Sequence, residues 1–420
     1  MSQKLVIVGG GPAGLAAAIS AHQSGAKDIL ILEREPRLGG ILNQCIHNGF
    51  GLHTFNEELT GPEYADRFVQ KVLELGIPYR LNATVLDVSK DKTVTYVSEQ
   101  DGVVTLKAAA VILACGCRER PRGAINIAGA RVAGIFSAGT AQKLINIDGY
   151  MVGKEAVILG SGDIGLITAR RMTFMGAKVK AVVELMPYSS GLRRNIEQCL
   201  NDFDIPLLLS HTVVAINGKD GRVESVDIAQ VDDKLQPIRE TTQRITCDTL
   251  LLSVGLLPEN ELARGASVTI SPVTGGATVD DEFMTDVDGV FACGNVLHVH
   301  DLVDYVSEEG GAVGRCAAKY IASKPQKTRD GAKIETFGGV RYTVPQTINK
   351  KGDKTVTLRL RVNNVYKKVR LNVYADGVKI YSKMRPVVTA GEMETISLDQ
   401  NQTALLREAT KISVGLEAAD

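Results

Sequence analysis

One short unit occurs twice in this chain, and its repetition leaves few folds open. Leu5-Val6-Ile7-Val8 is an apolar run of buried-strand type, followed at once by Gly9-Gly10-Gly11-Pro12-Ala13-Gly14 and an alanine-rich helical stretch. The next apolar run, Ile29-Leu30-Ile31-Leu32, ends at Glu33. In such a unit the first glycine permits a tight turn and the second lets the backbone approach a pyrophosphate. The third allows close packing of helix on strand, the phosphates sit on the helix N-terminus, and the acid accepts hydrogen bonds from a ribose diol. A glycine triplet alone could be a structural turn; strand, glycines, helix, strand and acid in this order point to a dinucleotide. The unit recurs as Glu155-Ala156-Val157-Ile158-Leu159, then Gly160-Ser161-Gly162-Asp163-Ile164-Gly165, a helix, and Val179-Lys180-Ala181-Val182-Val183 ending at Glu184. A carboxylate at 184 pairs with a free 2′-hydroxyl and repels a 2′-phosphate, which favours NAD(H) over NADP(H). The competing signal is Arg193-Arg194, a basic pair beyond a Pro/Ser/Gly loop that also reads as a solvated helix start.

The length allows about two to four domains with sizeable cores. Lys plus Arg and Asp plus Glu both total 48, so no overall field argues for nucleic acid or a membrane surface. The N-terminus opens directly on a strand, without a charged segment leading into an apolar one. The most apolar stretches, Leu250 to Leu257 among them, are too short to span a bilayer. Seven scattered cysteines lack the dense, even spacing of a disulfide scaffold, so a reducing compartment, the cytoplasm, is expected.

From Lys4 to Ala322, β-branched runs alternate with Ala/Gly-rich helical stretches, the rhythm of parallel α/β sheets. Ser323 to Lys333 is polar and charged, as a linker would be. Beyond it the period changes to two: Val356, Leu358, Leu360 and Val362 alternate with Thr357, Arg359 and Arg361, and Val369, Leu371 and Val373 alternate again. Asp376-Gly377 is a strong hairpin-turn signal. The basic run Arg359, Arg361, Lys367, Lys368 and Arg370 reads as a solvated strand face, with a docking face for an acidic redox partner as the alternative.

With both units in view, the chain resembles the two-dinucleotide-domain flavin oxidoreductases, the pyridine nucleotide-disulfide oxidoreductase class that includes thioredoxin reductase. Two more segments carry the resemblance. Val111-Ile112-Leu113-Ala114-Cys115-Gly116 looks like the family's crossover between domains, and Gly289-Val290-Phe291-Ala292-Cys293-Gly294-Asn295 looks like its second FAD signature. The resemblance implies an α/β fold with two Rossmann-like dinucleotide-binding domains, the NAD domain inserted in the FAD domain, plus a small C-terminal all-β domain. Residues 1–118 and 248–322 would build the FAD domain, 119–247 the NAD(H) domain, 323–336 a linker and 337–420 the β domain. FAD would lie on Gly9, Gly11, Pro12, Ala13, Gly14, Glu33, Arg34, Gly40, Ala114, Gly116, Gly255, Gly294 and Asn295, and NAD(H) on Gly160, Gly162, Asp163, Ile164, Gly165 and Glu184. The family usually has Asp where this chain has Asn295, which keeps an acceptor for the ribityl chain but loses the charge. By the same analogy the helix after Asn295 points its positive N-terminus at the flavin's pyrimidine edge.

Gly39 to Gly51, Cys115 to Gly123, the run FSAGTAQKLIN and the run CGNVLHVHDLVDYVSEE look closer still to one subgroup. It comprises the NAD/FAD oxidoreductases encoded beside glycerol-3-phosphate dehydrogenase-like flavoproteins, with the α subunits of hydrogen cyanide synthase, opine oxidase and dye-linked amino-acid dehydrogenases. The subgroup implies an oligomeric complex that exchanges electrons between NAD(H) and a partner flavoprotein dehydrogenase. Many such α subunits carry a C-terminal four-cysteine iron–sulfur module; this chain has no cysteine after Cys316, so an iron–sulfur relay would be a separate small protein.

The cysteines argue against a dithiol enzyme. No CxxC occurs, and after Gly39-Gly40 there is one cysteine, Cys45, where the glutathione reductase type needs two. Cys45 could act as a lone redox thiol with His47 lowering its pKa, giving a self-contained NADH oxidase or disulfide/peroxide reductase. Otherwise it is a small buried hydrophobe against the flavin, with His47 a surface or flavin-edge donor. Cys115 and Cys117 read as packing, and no metal site is expected. His298 and His300 follow the second FAD signature, where either could donate a proton during flavin turnover or simply hold the loop. A non-catalytic flavin-binding subunit is the remaining alternative.

Overall fold

The computed structural model describes residues 2–323, 330–352 and 355–419. The chain divides into two compact units: residues 1–43, 48–117 and 258–420 form one, and 44–47 with 118–257 the other.

In the first unit, a sheet runs in the order Tyr79–Arg80, Ile29–Leu32, Ser2–Val8, Gly102–Leu113, Thr93–Ser98, Thr84–Val88, with Val290–Ala292 also paired to Gly102–Leu113. Ile29–Leu32, Ser2–Val8, Val290–Ala292 and the end of Gly102–Leu113 are parallel and in register, Leu5 beside Ile29 and Ala110, and Ala292 beside Leu113. The side chains of residues 5–8, 29–32, 110–113 and 290–292 are buried on both faces, which explains why these strands read as unbroken apolar runs rather than alternating ones. Helices Pro12–Gln23 and Val303–Ser323 pack closely against one another, and glycines make this approach feasible. A β-carbon at Gly310 would overlap the Ala13 carbonyl oxygen, and one at Gly314 that of Ala17. Helix Gly61–Glu74 starts at a reciprocal capping box, Thr60 with Glu63.

The second unit centres on a parallel sheet ordered Ile135–Ser137, Thr249–Leu252, Glu155–Leu159, Lys178–Val183, Leu207–Leu208. An antiparallel sheet of His211–Lys219, Arg222–Gln230 and Gln243–Thr246, extended by Ala128–Gly129, completes it. The expected boundary at 247/248 therefore needs correction. Thr249–Leu252 is an interior strand of this second sheet, bonded to both Ile135–Ser137 and Glu155–Leu159, and the chain returns to the first unit only at Pro258.

Residues 331–418 form a five-stranded sheet ordered Thr347–Asn349, Gly331–Phe337, Ile412–Ala418, Tyr366–Ala375, Val378–Val388, and a three-stranded one of Val340–Val344, Val356–Val362 and Glu394–Leu398. Asp376 and Gly377 turn the hairpin with φ of 46° and 83°, the two positive values its tight turn requires. Two further corrections fall here. The expected linker 323–336 contains the start of strand Gly331–Phe337, while its residues 324–329 lie outside the described residues. The domain expected to be all-β also holds one helix, Gln400–Glu408, capped by Asp399 with Gln402. Far from standing apart, this β region belongs to the first unit. Val344 joins its main core, Gln346 exchanges backbone and side-chain bonds with Val279, and Arg407 pairs with Asp281 at 2.7 Å. Among the described residues, no helix is long and apolar enough to cross a membrane.

Replacing Gly310 with Ala should cost about 1–3 kcal/mol by overpacking the helix pair. Gly123→Ala, where a β-carbon meets nothing within 4 Å, should cost no more than about 0.5 kcal/mol. Urea unfolding of both variants measures the difference.

Candidate functional site

The first glycine loop leaves Val8 at the sheet's edge of pairing and turns on Gly9, whose φ is 110° and whose absent β-carbon makes room for the Ala114 carbonyl. Gly14 lies on the Gly9 carbonyl in the same way. Gly40, at φ 60°, would place a β-carbon 2.9 Å from Gly11 Cα, so a second turn presses on the loop. Helix Pro12–Gln23 begins at Gly11 with no side chain capping it and no acid in its first turn. Its free N–H groups and positive dipole end form an anion cradle, which fits the pyrophosphate of FAD.

Glu33, 6% exposed, sits behind that loop. The Gly10 N–H donates to its Oε2 at 2.7 Å and the Glu35 N–H to its Oε1 at 2.9 Å. Each oxygen retains a lone pair, enough to accept the two hydroxyls of a ribose. Of the other expected residues here, Ala114 is buried, Gly116 turns at φ 73° and accepts the Glu259 N–H on its carbonyl, and Arg34 is exposed.

The second loop repeats the anchor of the first. Gly160 turns at φ 96° over the Ser253 carbonyl, and Gly165 sits against Ser253 Cβ. The Ser161 N–H and hydroxyl donate to Glu184 Oε2 at 2.8 and 2.6 Å, and the Met186 N–H to Oε1 at 2.9 Å. Helix Asp163–Phe174 starts at Gly162, again with no side-chain cap, and Ile164 lies in its first turn. Asp163 works locally, its Oδ1 accepting from the Leu192 N–H and Asn195 Nδ2. Gly255, at φ 99°, accepts the Arg120 N–H and is a turn residue of this unit. Arg193 and Arg194 are exposed at the start of helix Arg193–Cys199.

The second signature segment brings a buried polar cluster to the first unit. Val290–Ala292 pairs with the end of Gly102–Leu113, and Gly294 then turns at φ 71° against Ala13 of the first loop's helix. The Gly294 N–H donates to Glu309 Oε1 at 2.8 Å. Glu309 is fully buried on helix Val303–Ser323, and its Oε2 lies 3.0 Å from His298 Nε2, 3.3 Å from His300 Nε2 and 3.6 Å from Arg359 Nη1. Burial alone would raise the Glu309 carboxyl, but His300 and His298 hold it well below the usual range. Burial, then His300, pushes His298 down to about 4, so its imidazole is neutral and gives its Nε2 proton to Glu309. His298 Nδ1 is buried with no hydrogen-bond partner among the described residues. Asn295 Oδ1 accepts the His300 N–H at 3.0 Å, so this side chain braces the loop. His298, His300 and Glu309 have the composition of a metal site. The Arg359 guanidinium beside the shared oxygen makes the set an ion pair in character, since a divalent ion would face a fixed positive charge.

Sequence reasoning missed Glu309 as the centre of this cluster and misplaced two arginines. Arg359 and Arg361 do not lie on a solvated docking face. Arg359 is 4% exposed against Glu309 and Glu308, and Arg361 pairs with Asp301 and donates to the Val299 carbonyl. The strand's outer face is covered by the segment that follows the second signature. The signal was a pair of arginines two residues apart in a strand whose other residues are apolar except Thr357.

Cys45 lies in the second unit beside helix Ala138–Asn146, its Sγ 3.8 Å from Gln142 Oε1. Gln44 anchors the segment through the Gly139 carbonyl and Gln142, and Asn146 bonds back to the Gln44 carbonyl. Burial pushes the Cys45 thiol up to about 12, so it carries a proton at neutral pH. His47, half-buried, follows two residues later. None of the seven cysteines forms a disulfide.

A family model described as pyridine nucleotide-disulphide oxidoreductase matches residues 3–311. Thioredoxin reductase of Listeria innocua is 26% identical over 322 residues, which span 76% of this chain and 93% of that protein. Hydrogen cyanide synthase subunit HcnB of Pseudomonas protegens is 26% identical over 345 residues, 77% of this chain and 70% of that one. The crystal structure of T. acidophilum thioredoxin reductase matches in fold with a TM-score of 0.62 at 22% identity, covering 76% of this chain and 99% of that chain.

The unfolded chain takes up a proton at His298 near pH 6.5 that the folded chain refuses until about pH 4. Acidification through that window should therefore favour unfolding by about 1.4 kcal/mol per pH unit from this group. Denaturant titrations from pH 6.5 to 4.5 should show that slope in excess over a His298→Asn variant; equal slopes would mean that His298 does not stay neutral.

Proposed function

Because this chain belongs to the pyridine nucleotide-disulphide oxidoreductase family, we propose that its two glycine loops serve one electron path, FAD on the first and NAD(H) on the second. Membership makes the chain an oxidoreductase dependent on FAD and a pyridine nucleotide. When bound, FAD supplies the hydride-accepting and electron-passing chemistry. The protein supplies binding, orientation and charge. The uncapped helix at Gly11-Pro12 neutralises the flavin nucleotide's pyrophosphate, and Glu33 accepts its ribose hydroxyls. Gly294 and the Asn295-braced turn shape the remaining wall. The observation that carries this reading is the duplicated anchor, a buried glutamate receiving the N–H of the second loop residue in both units.

Glu184 supports NAD(H) as the nicotinamide nucleotide. Three N–H or O–H groups already bond its carboxylate, which fixes an anion beside the adenosine ribose where a 2′-phosphate would have to sit. His298 does not act as the proton donor of the cycle, because its one proton is committed to Glu309. Electrons pass between NADH and a partner redox protein, a flavoprotein dehydrogenase of the glycerol-3-phosphate type with a small iron–sulfur protein as the relay. The similarity to a hydrogen cyanide synthase subunit supports a partner-dependent oligomer. Seven scattered cysteines, without the dense, even spacing of a disulfide scaffold, support a reducing, cytoplasmic setting. Burial, which keeps the Cys45 thiol protonated, speaks against a self-contained disulfide or peroxide reductase.

Steady-state reduction of an artificial dye acceptor by NADH tests the assignment. Cys45→Ser should keep the rate within about twofold, whereas loss of activity would restore the thiol route. Glu184→Ala should shift the NADPH/NADH ratio of kcat/KM upward by about tenfold, equivalent to about 1.4 kcal/mol. An unchanged ratio would remove Glu184 from nucleotide choice.

A further inference from the structure

Three arginines of the C-terminal β region reach three acids within residues 281–309, the stretch that contains the second flavin signature. Arg407 meets Asp281, Arg361 meets Asp301, and Arg359 meets Glu309. Asp301 also accepts the Met393 N–H at 2.6 Å, and Asp281 the Asn349 N–H at 2.8 Å, so each acid is held by side chain or backbone from the β region. The matched family segment ends at residue 311, and all three arginines lie beyond it.

We propose that Arg359 is a positioning residue of the flavin site: carried in by the C-terminal β region, it is the fixed counter-charge beside the buried Glu309 carboxylate and, together with the histidines, holds the Gly294 N–H and its loop in the FAD-binding conformation. The geometry runs in one line. Arg359 Nη1 is 3.6 Å from Glu309 Oε2, while Oε1 of the same carboxylate receives the Gly294 N–H at 2.8 Å. Gly294 in turn rests on Ala13, in the first turn of the helix that cradles the pyrophosphate. Both charged partners are almost fully buried, 4% and 0% exposed. A buried carboxylate that loses the guanidinium beside it is left with less compensation, and the network relaxes by protonation or by moving the side chain. Either response weakens its hold on the Gly294 N–H. The remaining groups facing Glu309 are the neutral His298, and His300, so Arg359 is the fixed positive charge of the cluster. Glu308, 62% exposed, meets the outer side of the guanidinium at 3.2 Å and orients it.

The inference deepens the FAD reading and rests on it. By linkage, a β region that tightens FAD binding is itself held more firmly when FAD is bound. The test is the FAD dissociation constant of the full-length apo-protein, read by flavin fluorescence and visible circular dichroism, for wild type, Arg359→Met, Arg359→Lys and the double variant Glu309→Gln/Arg359→Met. Arg359→Met should weaken FAD at least tenfold and alter the visible circular dichroism of the bound flavin. Arg359→Lys should recover part of that loss. The double variant, which removes both charges and keeps an acceptor for Gly294, should return to within threefold of wild type. Wild-type affinity in Arg359→Met would overturn the proposal, as would a double variant no better than the single one. If Arg359→Met does not fold, the double variant decides alone: tenfold weaker FAD in a folded protein overturns it, and near-native affinity upholds it. A wild-type protein that fails to bind FAD would instead strike at the flavin assignment itself.

Discussion

A buried carboxylate tied to the backbone of a glycine loop is the interaction on which both halves of this molecule depend. Glycines at 9, 14, 160 and 165 let helix and strand close to a separation no β-carbon permits. Closeness alone does not fix the loop's direction. Glu33 and Glu184 do so, each taking one N–H from the loop and one from two residues beyond itself. The loop, the strand end and the turn after it become one rigid piece, and the helix N-terminus is left uncapped by any side chain. An anion bound there would complete what the side chains leave open. In the proposed reading the lone pairs left on these carboxylates, one on each oxygen of Glu33 and one on Oε1 of Glu184, would accept from a ribose.

Glu309 is a carboxylate of another kind, because it is buried with histidines and an arginine rather than with backbone donors alone. Neutral His298 and cationic Arg359 share its oxygen, and the pair therefore brings little net charge into the core. Such pairs contribute little net stability but resist disruption strongly. That property suits a place where two separately coded elements, a helix of the nucleotide fold and a strand of the β region, must keep one register.

Local requirements were legible in the residues, and non-local ones were not. The two loops are recognisable because tight turn, close approach and acid all act within about thirty residues. Asp376-Gly377 is recognisable because its two positive φ values are a demand on those residues themselves. Thr249–Leu252 shows the limit: an apolar run announces a strand but not which sheet it joins, and this one pairs with Glu155–Leu159 nearly a hundred residues earlier. The alternation around Leu358 and Leu360 correctly marks a strand, yet it assigns Arg359 to water because period two says nothing about what covers the other face. Asn295 was read for its acceptor, which the neighbouring His300 N–H takes. Helix Gln400–Glu408 buries few side chains, Thr403 and Leu406 among them, so its apolar pattern is faint, although Asp399 with Gln402 was a start signal of the capping-box type.

Anaerobic titration of the purified FAD-loaded protein with NADH, and separately with NADPH, following flavin absorbance, tests most directly whether the two loops form one electron path. The expected result is bleaching of the flavin at near-stoichiometric NADH, with NADPH far weaker. Bound FAD that neither nucleotide reduces would contradict it, and the chain would then have to be assigned a flavin without a nicotinamide partner.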